Sequence, residues 1–297
     1  MTVTYQVPPR EDGIRLASFL RRQGVSVSFI RRVKYHEQGL LHNGVRARTN
    51  TIVRAGDIVE VTLPPEKSMV VPPQEIPLQI VYESAHALVV EKPAGLVMHP
   101  TLSHHEGTMA NAFSHLMKQR GEQAAFRPLG RLDADTSGLV LLAKNAYAAP
   151  LLQRSAQKFY LALAEGWLPM GAGSVNAPLG PEPGSVIRQC VTAQGRGSVT
   201  EYSVFASNAK ASLARVMPQT GRTHQIRVHF AHMGHPLLGD KLYGGNAEYI
   251  RRHALHCMCL DFLDPAEGGV SLHSKVPPDI QSAAEAVGLS QDALCEH

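Results

Sequence analysis

Residues 130–144, GRLDADTSGLVLLAK, decide how this chain is read, because they set a carboxylate in a tight polar turn just ahead of a buried-looking apolar run. Leu139, Val140, Leu141, Leu142 and Ala143 are continuously apolar, which fits a strand covered on both faces, and Thr136, Ser137 and Gly138 supply the turn chemistry that starts it. Asp133 sits at the presented end of that rigid element. An Asp in such a turn ordinarily caps its own backbone, so a chemical role has to come from what the rest of the chain brings to it.

Length and composition narrow the class. The chain has 297 residues, 44% hydrophobic and 18% charged, which suits one or two soluble domains with a sizeable core. No apolar run approaches the roughly 18 residues of a membrane span, and the opening MTVTYQVPPRED lacks the basic and apolar regions of a signal peptide, so a cytoplasmic protein with no membrane partner is expected. The four cysteines, Cys190, Cys257, Cys259 and Cys295, form no C-x-x-C pair and read as reduced and structural. The net charge of +4 is unevenly spread: residues 1–64 carry ten Lys and Arg against five Asp and Glu, and the remainder nineteen against twenty. The whole surplus lies in the N-terminal fifth, as expected of a small domain that meets a polyanion.

That fifth reads as two short amphipathic helices, 14–22 and 27–38, separated at Gly24, with Arg31, Arg32 and Lys34 crowding the second. LLHNGVRARTNTIVRAGDIVEV then gives three strands broken at Asn43-Gly44 and Ala55-Gly56-Asp57. Prolines 64, 65, 72 and 73 stiffen a linker over 65–75. A second domain follows over 76–285, with strands expected at 88–91, 139–143, 160–164, 200–205 and 212–218 and helices near 108–120 and 223–233. The mixture argues an α+β domain. Residues 286–297 are expected to be a tail.

A second informative stretch is 220–243, TGRTHQIRVHFAHMGHPLLGDKLY. Thr223 is placed to N-cap a helix whose Ile226, Phe230 and Met233 recur at helical spacing and which Gly234 and Pro236 end. Arg227 falls in its first turn, where a cation is mildly unfavourable with the helix dipole, so an anionic partner is implied. His224, His229, His232 and His235 invite a zinc reading, but no carboxylate lies near in sequence to complete a set, and no metal is expected.

Four segments occur in order: KPAGLVMHP (92–100), RLDADTSGLVLLAK (131–144), KFYLALAEG (158–166) and GRTHQIRVH (221–229). Together they resemble an RluA-type RNA pseudouridine synthase, while residues 13–64 resemble the RNA-binding domain first seen in ribosomal protein S-four. The resemblance implies an α+β pseudouridine synthase fold, a mixed, largely antiparallel central sheet with flanking helices, plus a small α+β N-terminal RNA-binding domain. It implies that Asp133 is the nucleophile, Arg227 its ion-pair partner and Tyr160 the ring that stacks on the target uracil. An aspartate is already an anion at neutral pH and needs no base to activate it; an arginine beside it holds its orientation and charge. Tyr160 also offers a hydroxyl to take or relay the proton from carbon 5. Arg131 would fill the space of the flipped base, and Lys92, Lys158 and Arg222, with Arg31, Arg32 and Lys34 of the N-terminal domain, would meet phosphates. No cofactor or metal is implied. The partner is RNA, ribosomal RNA favoured over tRNA, and the protein a monomer. In one departure, Gly130 stands where this family usually has His. The related RsuA type, acting on the small ribosomal subunit, has Gly there but differs in the later motifs; a non-catalytic RNA-binding assembly factor is the rival from another class.

Overall fold

The structure, a computed structural model, describes residues 2–63, 71–101 and 105–290. Alternation of apolar and polar side chains builds the N-terminal unit. Its elements are β1 (Thr2–Gln6), α1 (Leu16–Arg22), α2 (Val27–Val33), β2 (Leu40–His42), β3 (Val45–Arg46) and β4 (Ile58–Thr62), with strand order β1-β4-β2-β3, all antiparallel. Val59 and Val61 of β4 point inward and share a core with Leu16, Phe19 and Leu20 of α1 and Phe29, Ile30 and Val33 of α2. Asn43 and Gly44 both take positive φ, the conformation a two-residue hairpin of this hand requires. Two details differ from expectation. The second helix ends at Val33 rather than residue 38, because residues 36–39 turn instead, His36 N–H donating to the Val33 carbonyl and Gly39 N–H to that of His36. The opening segment, polar in sequence, is a strand that pairs along the whole of β4.

Beyond residues 71–78, which form neither helix nor strand, comes the larger unit. Its elements are β5 (Gln79–Glu83), β6 (Ala87–Lys92), α3 (Met109–Arg120), β7 (Ser137–Ala143), α4 (Ala148–Ser155), β8 (Gln157–Glu165), β9 (Gly171–Asn176), β10 (Leu179–Pro181), β11 (Gln189–Val191), β12 (Val199–Ser207), β13 (Ala211–Pro218), α5 (Gln225–His232), β14 (Leu255–Asp264), β15 (Gly268–His273) and α6 (Pro278–Ala286). The main sheet runs β5-β6-β7-β14-β8-β13-β12-β9, with β15 on β14. Every pairing is antiparallel except β7 with β14. The sheet is mixed and largely antiparallel, as expected. All seven residues of β7 are buried, which explains its continuous apolar run. The helix at 108–120 starts one residue later, with Thr108 and Asn111 in a reciprocal capping box.

The two faces of β8 sort the flanking helices. Tyr160, Ala162 and Ala164 join the core that contains Ile226 and Phe230 of α5, while Leu161 and Leu163 pack with Ile280, Ala283 and Ala284 of α6. Tyr160 and Arg227 are thereby brought to one side of the sheet. The N-terminal unit is seated on the larger one: the Tyr5 and Tyr147 hydroxyls are 2.6 Å apart, the Phe29 ring lies 6.0 Å from that of Tyr147, and Leu151 occupies the space a side chain at Gly24 would need. Of the Pro-rich stretch, Pro64 and Pro65 lie outside the described residues, as do Cys295 and residues 291–297 of the expected tail. No described helix is long and apolar enough to cross a membrane.

Candidate active site

The turn carrying Asp133 is fastened from several directions. Thr136 N–H donates to the Asp133 carbonyl at 3.1 Å, closing the turn, and the Ala134 carbonyl accepts from Gly95 N–H at 2.9 Å and from Lys92 Nζ at 2.6 Å. Arg252 Nη1 donates to the Asp135 carbonyl, and the Thr136 hydroxyl meets His253 Nε2 at 2.7 Å. Burial drives His253 down to about 2, so the ring is neutral. This network corrects one expectation. Lys92 is 0% exposed and its ammonium, pushed down to about 8 by burial, binds backbone carbonyls rather than phosphate.

Asp133 itself is held by Arg227, whose Nη1 donates to Oδ2 at 3.0 Å. Arg227 is only 6% exposed and is gripped a second time by Asp240, with Nε to Oδ2 at 2.7 Å and Nη2 to Oδ1 at 2.8 Å. The bidentate fork fixes the guanidinium plane, and the third nitrogen is then aimed at Asp133. Asp240, buried to 1%, is a site residue that sequence reasoning misses. The only signal for it is the demand of a first-turn arginine for an anion, and the answer comes from a loop thirteen residues further along.

Helix α5 also starts differently from expectation. His224, not Thr223, is the N-cap residue, in left-handed conformation at φ 55°, and its side chain caps nothing. Thr223 instead accepts from Arg131 Nη2 at 3.1 Å. His224 Nδ1 lies 2.7 Å from the Tyr243 hydroxyl, and that hydroxyl already accepts the Gln189 N–H at 3.0 Å. His224 Nε2 lies 3.9 Å from Asp133 Oδ2. Burial lowers the His224 pKa despite the pull of Asp133, so the ring beside the carboxylate is neutral. A non-glycine residue in this conformation costs of order 1 kcal/mol, and the strain is held by these contacts. The Tyr243 ring lies flat enough to carry Arg227, whose guanidinium carbon is 5.0 Å from the centroid.

Tyr160, from β8, pairs in register with Cys257 of β14 and Val216 of β13. It is 7% exposed, and its hydroxyl pKa is raised well above the usual phenol value, first by burial and then by the neighbouring Cys257 and Asp133. The hydroxyl stays protonated at neutral pH. It can donate a hydrogen bond or pass a proton along, but not act as a standing phenolate base.

The remaining candidate RNA contacts divide. Arg131 and Arg222 are exposed on the turn and on the approach to α5, as are Arg31 and Arg32 on α2; Lys34 is half-buried with its ammonium 4.7 Å from the Tyr35 ring. Lys158 is turned inward, its Nζ donating to the Leu129 carbonyl at 2.8 Å, and burial lowers its pKa, which corrects its assignment to phosphate. Gly130 explains the local geometry. It has φ +81°, and a Cβ there would come within 3.3 Å of Lys158 Nζ, so the glycine admits both the left-handed turn and the inward lysine. The histidines of this stretch separate: His229 of α5 bonds Thr200 and the Ala177 carbonyl, and His235 beyond the helix the Glu165 carbonyl. Among the described residues no three His, Cys, Asp or Glu side chains are grouped to hold a metal.

Comparison with known proteins gives this arrangement its class. Residues 86–232, which span Asp133, Tyr160 and Arg227, match the family described as RNA pseudouridylate synthase. The chain belongs to the RNA pseudouridine synthases, enzymes that isomerise uridine within RNA. It is 35% identical over 265 residues to the uncharacterized RNA pseudouridine synthase YjbO of Bacillus subtilis, covering 86% of this chain and 93% of that one. It is 34% identical over 295 residues to ribosomal large subunit pseudouridine synthase D of Xylella fastidiosa, covering 92% and 89%. Among solved structures, human RNA pseudouridylate synthase domain containing 1 superposes with a TM-score of 0.54 at 28% identity, over 68% of this chain and 85% of that one.

Proposed function

We propose that this enzyme converts uridine to pseudouridine in large-subunit ribosomal RNA, with Asp133 as nucleophile, Arg227 as the group that orients it and Tyr160 as the residue beside the reacting base. The observation that carries the assignment of roles is the 3.0 Å contact of Arg227 Nη1 with Asp133 Oδ2, made by a guanidinium already fixed by Asp240. It engages one carboxylate oxygen and leaves Oδ1 to face the substrate. Near-complete alignment with proteins named ribosomal large subunit pseudouridine synthase D supports the RNA class, and the surplus positive charge of residues 1–64 supports a second RNA contact there. The enzyme acts on this RNA as a cytoplasmic monomer.

In the reaction the bond from ribose carbon 1′ to uracil N1 breaks, the base turns while bound, and carbon 5 joins carbon 1′. N1 gains a proton and carbon 5 loses one. Substrate and product are isomers, so no electrons need a carrier. The uridine must leave its stack to reach a carboxylate set in a turn, at a cost of a few kcal/mol that is least for loop nucleotides. The protonated Tyr160 hydroxyl is suited to relaying the carbon 5 proton.

Asp133→Asn tests the reading. It keeps shape and one oxygen for Arg227 while removing the nucleophilic charge. Release of tritium from [5-3H]uridine-labelled ribosomal RNA is expected to vanish while the circular dichroism spectrum and RNA affinity stay near those of the parent. Turnover by the Asn variant would break the assignment.

A further inference from the structure

The hairpin of β10 and β11 takes no part in the chemistry above, yet its base is joined to it. Gln189 N–H donates to the Tyr243 hydroxyl, the same hydroxyl that lies 2.7 Å from His224 Nδ1, and the Arg188 guanidinium carbon lies 5.9 Å from the Tyr243 ring. The tip is built to keep its shape. Glu182 and Arg188 close it with an ion pair at 2.9 Å and a backbone bond at 3.0 Å, Ser185 Oγ accepts the Arg188 N–H at 2.9 Å, and Gly184 makes the reversal at φ +81°. What this ordered tip displays is apolar: Val186 is 102% exposed and Ile187 63%.

We propose that Val186 and Ile187 form an apolar wedge that enters the RNA base stack beside the target uridine and holds it open while the uridine occupies the Asp133 cleft. The inference rests on the proposed function and adds a residue pair to its RNA surface. Single exposed apolar residues are ordinary, but two adjacent ones on a braced tip, next to a site that takes up an unstacked base, have an occupant of matching chemistry. Apolar side chains inserted between base steps offset the cost of unstacking, and β-branched ones lose little rotamer freedom in doing so. The charge around the tip fits the same partner. Arg196 beside the hairpin, and Arg222, whose Nη2 lies 3.5 Å from the Gly197 carbonyl, are exposed and suited to meet the flanking phosphates. Arg131 reaches the vacated space from a different element, the Asp133 turn, so the two contacts are not interchangeable.

The test compares tritium release from [5-3H]uridine-labelled large-subunit ribosomal RNA transcript, once folded with Mg2+ and once cut into short fragments that hold little stacking. The quantity read is the ratio of the two rates. V186S/I187S is expected to lower that ratio about tenfold, since polar side chains no longer offset unstacking, and V186L/I187L to restore it. Both side chains are exposed, so thermal melting should match the parent and report any misfolded preparation. An unmoved ratio in V186S/I187S, or an equal loss with the leucine pair, overturns the wedge. Failure of the parent to release tritium from either RNA overturns the proposed function itself, and the wedge with it.

Discussion

Arg227 and Arg31 are the same residue put to opposite uses, and the contrast separates the two halves of the molecule. Arg227 is buried, bonded through three nitrogens to two carboxylates and carried on a tyrosine ring. Arg31 stands in solvent on α2, with Arg32 beside it resting over the Phe29 ring. A buried guanidinium acts through geometry and is costly to disturb; an exposed one acts through charge, additively and in a way that salt screens. The proposed chemistry thus sits where charge is buried and fixed, and the proposed RNA attraction where positive charge is plentiful and exposed.

Breaking the buried half should have the largest effect. Arg227→Ala strands Asp240 without a partner in a dry site, and loss of one member of such a pair costs roughly 3–5 kcal/mol. Urea unfolding should show that loss together with abolished tritium release, whereas Asp133→Asn removes only the second. Equal stability of the two variants would contradict the central role of Asp240.

A pH titration sharpens the same contrast with a smaller effect. His256 sits in a directed chain: Ser137 Oγ is 2.9 Å from its Nδ1, and its Nε2 is 2.9 Å from Ser274 Oγ, which donates to Glu91. Burial lowers its pKa to about 4, with Arg252 nearby adding to the shift. The unfolded chain takes up this proton near pH 6.5 and the fold refuses it until about 4. Stability is therefore full above about pH 6.5 and falls as pH drops through that window. Urea midpoints measured from pH 8 to 4 should trace this fall, and His256→Asn should make it shallower, with His253, held down to about 2 by burial, keeping the remainder. Glu91, whose pKa burial raises, works in the opposite sense and trims the slope at its acid end.

The exposed half gives the mildest response. Arg31→Gln should leave the melting temperature unchanged and weaken RNA binding, with the slope of log affinity on log salt reduced by about one for the phosphate that is no longer neutralised. An unaltered salt slope would remove α2 from the RNA surface.

How much of this is legible in the sequence follows the same division. Periodicity finds β7, β8, β12, β13 and α3 because their residues announce a local pattern, and the first-turn position of Arg227 calls for an anion; the family resemblance names Asp133 as that anion, and the structure sets Nη1 3.0 Å from Oδ2. Charge counting locates the basic unit. What cannot be read is convergence from loops. Asp240 and Tyr243 come from a segment with no regular structure, and Lys92 looks in sequence like any surface cation at a strand end, yet it is anchored inside the Asp133 turn. The start of α5 slips by one residue because a threonine at the right spacing is engaged by Arg131 and a histidine takes the left-handed position instead.

The double grip on Arg227 has an electrical consequence. Two carboxylates and one guanidinium sum to a formal charge of −1, and the uncompensated part faces the cleft at Asp133, whose side chain is 25% exposed, rather than at sealed Asp240. Arg131, two residues before Asp133, and Arg222, two residues before His224, carry exposed guanidinium groups. On the proposed function, a nucleotide's phosphate is drawn to such arginines and repelled from Asp133, while its uncharged base meets no such barrier, so the cleft would sort the two ends of one nucleotide before any bond is made.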